Sequence, residues 1–415
     1  MRKGTILQAG TLGAIVLGSF LLHSCVAGPR TVEPLSVGEV AAAPKLQVGL
    51  GKAVRSEGFT IRLKGNYALQ GATGLLDRGA AGDLEVKWDG GLKIGRLQTT
   101  ESLVRIVPEK DGDLEFNAIR YRGEFLLIKD EEKAGGAARV TLVNEVDLES
   151  YLKGVVGSEM SLSQHPEALK AQSIAARTYA MYEVKQQTLR RVRGEKFDVW
   201  DDDRSQVYLG HKNEAARAVE VVDATRGMFC VWQGRIFKTF FSSTCGGATE
   251  PANMVLGREA EDIQPLNGTT CGTGGTPYCS GSKYFKWTAE LAKADIVAKL
   301  FPDKPQIRID RVEVTKKLPG GHALEVTLSL AGTARKVVVH ANDGFRRKID
   351  AKLIRSTMWE DEIKQDATKV VISGRGWGHG CGMCQVGAYK MAELGFGAVQ
   401  ICEFYYPGAK VQKLY

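Results

Sequence analysis

The sequence predicts an α+β protein, β-rich in its first part, on three observations. From Leu46 to Val146 short runs of alternating apolar and polar residues (LQVGLG, FTIRLKG, DLEVKW, GLKIGRL, LVRIVP, YRGEFLLIKD, RVTLVNEVDL) are divided by Gly, Asp and Asn. Such period-two runs with turn signals between them read as half-buried strands. From Leu148 to Lys185 the spacing becomes helical, and beyond Ile307 the runs RIDRVEVTKK, ALEVTLSLAG, ARKVVVHA and KVVISGRG return to strand character before two closing helical segments.

The first residues stand apart from that fold. Arg2 and Lys3 precede an apolar segment, Ile6 to Leu22, that ends in Leu-His-Ser-Cys at Cys25. A charged head, an apolar core and a small residue before a cleavage point make residues 1–25 an export signal. The ending resembles a bacterial lipobox, with Cys25 as the lipidated residue that would hold the chain on a membrane. Ordinary cleavage and a retained anchor are the alternatives. Residues 26–45, rich in Pro, Val, Ala and Gly without periodicity, read as a tether. An extracytoplasmic location, in the periplasm or at the cell surface, follows from the signal. The net charge of +8 and pI near 8.9 are spread along the chain. No basic run is interleaved with aromatics, so nucleic acid is not the expected partner, whereas an anionic wall polymer is compatible.

Residues 46–146 therefore form a β-rich region, and 147–415 the mixed region that carries the candidate chemistry. Leu148, Leu152, Val155, Val156 and Met160 line one stripe of a short helix. Glu159 falls beside that stripe, where partial desolvation would raise its pKa and keep it protonated as a general acid near neutral pH. A second helix is predicted from Pro166, a favoured first helical residue, to about Lys185. Its alanines (Ala168, Ala171, Ala175, Ala176, Ala180) allow close packing and let Gln172, Arg177 and Tyr179 project from a rigid support.

Further on, Glu214 to Thr225 reads as an amphipathic helix and MFCVWQGRIFKTFFSSTCGGATE as a hairpin turning at Gln233-Gly234 and ending in a Gly pair. Residues 251–282, rich in Gly, Thr and Pro, read as a long irregular loop holding Cys271 and Cys279. Tyr284 to Phe301 reads as strand then helix. The closing segment offers a Gly-rich loop around Trp377 and His379, a helix from about Cys384 to Leu394, and a second short helix.

The run ESYLKGVVGSEM followed by PEALKAQSIAARTYAMY, and the later GHGCGMCQVGA, resemble the two signatures of the SpoIID/LytB family of cell-wall proteins. The resemblance implies a SpoIID-like mixed fold and cleavage of peptidoglycan between N-acetylmuramic acid and N-acetylglucosamine, as a lytic transglycosylase acting on strands stripped of stem peptides. It identifies Glu159 as the catalytic acid and base. It places Arg177, Tyr179, Gln206, Trp377, His379 and Gln385 at motif positions, as substrate-binding residues, with Arg177 and His379 ranked above the glutamines. One carboxyl group suffices for this chemistry, although Asp201, Asp202 and Asp203 could supply a second and turn the reaction into hydrolysis. No cofactor is required.

Two rivals stand beside that reading. One is a non-catalytic peptidoglycan-binding modifier of an amidase partner, and the other a zinc-dependent wall hydrolase, which lacks a His-rich ligand set. The cysteines other than Cys25 fit an exported protein with disulfides. A structural zinc held by Cys245, Cys271, Cys279 and Cys384 is the alternative, because Cys381-x-x-Cys384 has metal-ligand spacing and Cys245 and the pair Cys271 and Cys279 lie in Gly-rich loops able to converge on it.

Overall fold

The computed structural model describes residues 35–40, 42–109, 113–130, 138–192 and 194–415. The export signal with Cys25, and most of the tether, lie outside the described residues. The stretch 26–45 is not all tether, however. Leu35–Ser36 pairs antiparallel with Arg235–Ile236, so this piece of chain forms the edge of a four-stranded sheet completed by Met228–Trp232 and Lys410–Lys413.

The β-rich region forms two sheets, one of six strands and one of seven. The larger one matters for the site. Its strand Arg139–Asp147 pairs on one side with Glu124–Asp130 and on the other with Lys45–Gly49, which in turn pairs parallel with Val199–Trp200. The long strand is buried at Val140, Leu142, Val143 and Val146 and runs directly into the first helix.

The helices, in order, are α1 (Leu148–Glu159), α2 (Pro166–Lys185), α3 (Gln187–Val192), α4 (Ala216–Ala224), α5 (Ala252–Leu256), α6 (Lys293–Leu300), α7 (Arg347–Ile349), α8 (Gln385–Glu393) and α9 (Ala398–Tyr405). Asp147 caps α1 by accepting from the Ser150 amide at 3.0 Å. Pro166 opens α2 as expected, and all five of its predicted packing alanines are fully buried. With no bulk on those positions, α2 threads the interior and packs against α1, α4, α8 and α9. The expected hairpin turns at Gln233 and Gly234, both with positive φ (49° and 72°), the geometry of a tight two-residue hairpin turn. Residues 251–282 are less irregular than expected, since they include α5 and a small hairpin, Gly272–Thr273 with Thr276–Pro277.

Residues 286–375 build a core of their own. Trp287, Ile296, Val326, Leu328, Phe345, Trp359 and Ile372 are among its buried members. Their strands lie in a three-stranded sheet and a four-stranded sheet.

Candidate functional site

Glu159 is the last residue of α1, and Met160 leaves the helix in extended conformation. Two glycines decide what faces it. A Cβ on Gly154 would lie 2.6 Å from the Gly210 carbonyl oxygen, and one on Gly157 would lie 2.5 Å from that of Asn213. Their bare backbone therefore lets the segment 206–213 lie directly on the helix. Gln206 and Tyr208 lock that segment from its buried side. The Tyr151 hydroxyl donates to Gln206 Oε1 at 3.1 Å, Gln206 Nε2 donates to the Ala176 carbonyl at 3.4 Å, and the Tyr208 hydroxyl donates to Asn144 Oδ1 at 2.9 Å. Val207, between them, presents its amide to Glu159 Oε1 at 2.7 Å.

A second donor reaches the carboxyl group from far along the chain, the side chain of Gln385 in the first turn of α8. Gln385 Nε2 also lies 3.4 Å from Gln172 Oε1 on α2. Glu159 is partly exposed, so a ligand can reach it. Burial pushes its pKa up, the Asp203 charge pushes the same way, and the hydrogen bonds from Val207 and Gln385 pull back without cancelling the rise. The negative end of the α1 dipole acts in the same direction as burial. The result is a reachable carboxyl group that holds its proton more tightly than an ordinary glutamate.

The other predicted site residues divide differently from expectation. Arg177 is fully buried and donates from Nε and Nη2 to the two oxygens of Glu149, both at 2.9 Å, with further bonds to the Val222 and Met228 carbonyls. It is a strut inside the fold, not a substrate-binding residue. Gln206 is likewise fully buried and internally paired. His379 has no free nitrogen. Nε2 donates to the Phe241 carbonyl at 2.9 Å while Nδ1 accepts from the Cys381 amide at 3.0 Å, which fixes the neutral tautomer and staples the Gly-rich loop. Burial lowers its pKa to about 4. Of these four only Gln385 touches Glu159, so Gln385 stands above Arg177 and His379, and Gln206 does not.

Tyr179 is 6% exposed and packs edge-on to Phe240 and Phe241. Trp377 is half-exposed, joined to Thr244 by paired backbone bonds and stacked edge-to-face on Tyr284 with ring centres 4.2 Å apart. Sequence reasoning missed two groups near Glu159. The Val207 amide carries no side-chain signal at all. Tyr389, one turn beyond Gln385 on α8, is bonded to the Ser161 backbone, and burial raises its pKa to about 12. Its spacing of four from Gln385 was the available clue.

No disulfide is formed among the described residues, contrary to the preferred expectation; all seven described cysteines are free. Four of them, Cys245, Cys271, Cys279 and Cys384, bring their sulfur atoms within 4.8 Å of one another in the interior. Cys381, whose C-x-x-C spacing with Cys384 was conspicuous, is not part of that group, and its thiol points to the His379 carbonyl.

Residues 137–232, which hold Glu159, Arg177 and Gln206, match the family model described as stage II sporulation protein (SpoIID). An uncharacterized protein of Brachyspira hyodysenteriae is 32% identical over 325 residues, 77% of this chain and 79% of that one. The chain belongs to the SpoIID/LytB family. Stage II sporulation protein D of Bacillus subtilis is a further relative, 26% identical over 65% of this chain and 76% of its own length. The amidase enhancer of the same organism is 29% identical over 62% of this chain, which spans only 39% of that longer protein. In this SpoIID/LytB protein residues 277–382 also match a domain of unknown function, DUF8618, which covers most of the separate core described above.

Proposed function

We propose that the protein cleaves peptidoglycan glycan strands between N-acetylmuramic acid and N-acetylglucosamine as a lytic transglycosylase, with Glu159 as its acid and then its base. The observation that carries this reading is the Glu159 carboxyl group itself, partly exposed, held by an amide and a glutamine, with its pKa raised by burial. Protonated Glu159 gives its proton to the glycosidic oxygen as the C1–O bond breaks and positive charge develops on the muramic sugar. The resulting carboxylate then takes the proton of the C6 hydroxyl as that oxygen bonds to C1. The product is a 1,6-anhydro end, and Glu159 regains its starting state without a water nucleophile.

The natural substrate in this reading is a strand lacking stem peptides, met outside the cytoplasm by a protein held on a membrane through Cys25. No helix among the described residues is long and apolar enough to cross a membrane. The relative named amidase enhancer favours a second reading, in which the protein binds the wall and modifies an amidase without cutting glycan.

The test incubates a soluble form beginning after Cys25 with strands free of stem peptides and identifies the products by mass spectrometry, beside Glu159→Gln. Anhydro-ended products that vanish in the variant are expected. Products heavier by one water would mean hydrolysis with a second carboxylate, with Asp201, Asp202 and Asp203 as the candidates. Strand binding with no cleavage by the folded wild type would favour the amidase modifier.

A further inference from the structure

The four clustered thiols come from three separate stretches of chain. Cys245 follows the short strand Phe241–Ser242, and Cys384 ends its parallel partner Met383–Cys384. Cys271 and Cys279 flank the small hairpin of residues 272–277, closed by a bond from the Tyr278 amide to the Cys271 carbonyl at 2.9 Å. All four are fully buried. Four sulfurs at the corners of a tetrahedron around zinc, each about 2.3 Å from the metal, stand about 3.8 Å apart. Cys245 and Cys279 are 3.7 Å apart, and no separation in the group exceeds 4.8 Å.

Several donors point at these sulfurs, although Cys384 Sγ also lies 3.8 Å from the Ser243 carbonyl oxygen. The amides of Cys245 and Gly387 point at Cys384 Sγ at 3.3 and 3.4 Å, and the Gly246 amide is bonded to Cys279. The Tyr405 hydroxyl lies 3.1 Å from Cys271 Sγ. Gly387 leaves the room for this arrangement, since a Cβ there would come 2.8 Å from Cys271 Sγ. Donors gathered around a buried sulfur cluster suit thiolates, and several thiolates cannot share a dry site without a cation.

We propose that Cys245, Cys271, Cys279 and Cys384 bind a single structural zinc ion. Each thiol loses a proton to solvent as its Zn–S bond forms, leaving a tetrahedral Zn(S)₄ centre of net charge −2 that the amide and hydroxyl donors offset. With all four positions taken by protein, the metal has no open site for water or substrate, so it is a staple and not a catalyst. What it staples is the support of Glu159, because Cys384 caps α8 and is followed directly by Gln385, the residue that reaches Glu159. The ion also joins the 251–282 segment to that helix. The assignment does not depend on which bond, if any, the protein cleaves.

The test uses the full chain purified without chelator and without added metal. Elemental analysis is expected to give stoichiometric zinc in the wild type and in Cys230→Ser, whose thiol lies outside the cluster, and little in Cys271→Ser. Exchange into cobalt should produce the intense visible bands and sulfur-to-metal charge transfer of tetrahedral thiolate coordination. In the zinc protein four thiols should react with a thiol reagent only after chelation. Should Cys271→Ser fail to fold, the wild-type zinc content, cobalt spectrum and thiol count still decide the matter. An intact mass lower by four hydrogens with no metal would establish two disulfides and overturn the proposal. So would free thiols that take up no cobalt, or iron in place of zinc.

Discussion

Glu149 sits in the first turn of α1 and Glu159 closes its last, so one helix presents a carboxyl group at each end. Glu149 is buried, gripped on both oxygens by Arg177 and bonded also by the Tyr415 hydroxyl at 2.6 Å, and it lies at the end of the helix dipole that favours negative charge. Glu159 is partly exposed, receives only neutral donors, and lies at the end that disfavours negative charge. The contrast separates two uses of the same residue. A carboxylate matched by a guanidinium is a strut, whereas one given burial and no cation can hold and release a proton.

The sharpest way to break the comparison is to remove each carboxyl group's distinguishing partner or charge. Glu159→Gln should lower glycan cleavage by about 10²- to 10⁴-fold, the usual worth of a positioned acid and base. Its fold should survive. Because the folded-state pKa of Glu159 is raised, the native protein holds this proton at pH values where the unfolded chain has lost it. Stability therefore falls as pH rises from the unfolded pKa through the folded one. The glutamine variant escapes that loss, so urea denaturation near neutral pH should show equal or greater stability than wild type. A clear drop in stability would mean that Glu159 is structural after all.

Arg177→Met should do the opposite. It strands Glu149 as an unpaired buried carboxylate, at a cost of about 3–5 kcal/mol in denaturant unfolding. Whatever protein remains folded should keep the pH profile of cleavage, since Arg177 touches no group at Glu159. A preserved stability with lost binding to glycan strands would return Arg177 to the substrate site. His379→Ala is a milder version of the same test. It leaves the Phe241 carbonyl and the Cys381 amide without their partner, for a loss of about 1–3 kcal/mol. Again the pH profile of cleavage by the protein that remains folded should not move.

How much of this was legible in the sequence follows from the kind of signal each feature leaves. The helix α1 was readable from its apolar stripe, Leu148 to Met160, the start of α2 because Pro166 is chemical punctuation, and the alanines of α2 declared a helix meant for close packing; the Asp147 cap was not read. Glu159 was readable through the motif around it. The direction in which a polar side chain points was not. Arg177, Gln206 and His379 look like ligands for sugar as residue types, but burial turns the first two inward, and His379 spends both ring nitrogens on the Phe241 carbonyl and the Cys381 amide. The sulfur cluster was partly hidden for a related reason. Cys381 and Cys384 have the conspicuous spacing, yet parallel pairing of Phe241–Ser242 with Met383–Cys384 brings Cys245 to Cys384 and leaves Cys381 facing elsewhere.

Gln385 sharpens the comparison from the other side, because it is the one side chain that moderates Glu159 without neutralising it. Its amide hydrogen stabilises the ionised carboxylate and so opposes the upward push of burial. Gln385→Met keeps the bulk at the head of α8 and deletes that bond. The pKa of Glu159 should then rise further, and since the acid step needs the protonated form, the alkaline limb of the cleavage profile should move to higher pH. On the same reasoning the returning base should act somewhat differently, with a change in rate of a few-fold at the optimum and not the collapse seen on loss of the carboxyl group itself. The measurement is cleavage rate against pH for the two proteins side by side. A limb that stays in place while the rate drops would assign Gln385 to holding the sugar, and Glu159 would then owe its proton affinity to burial and Asp203 alone.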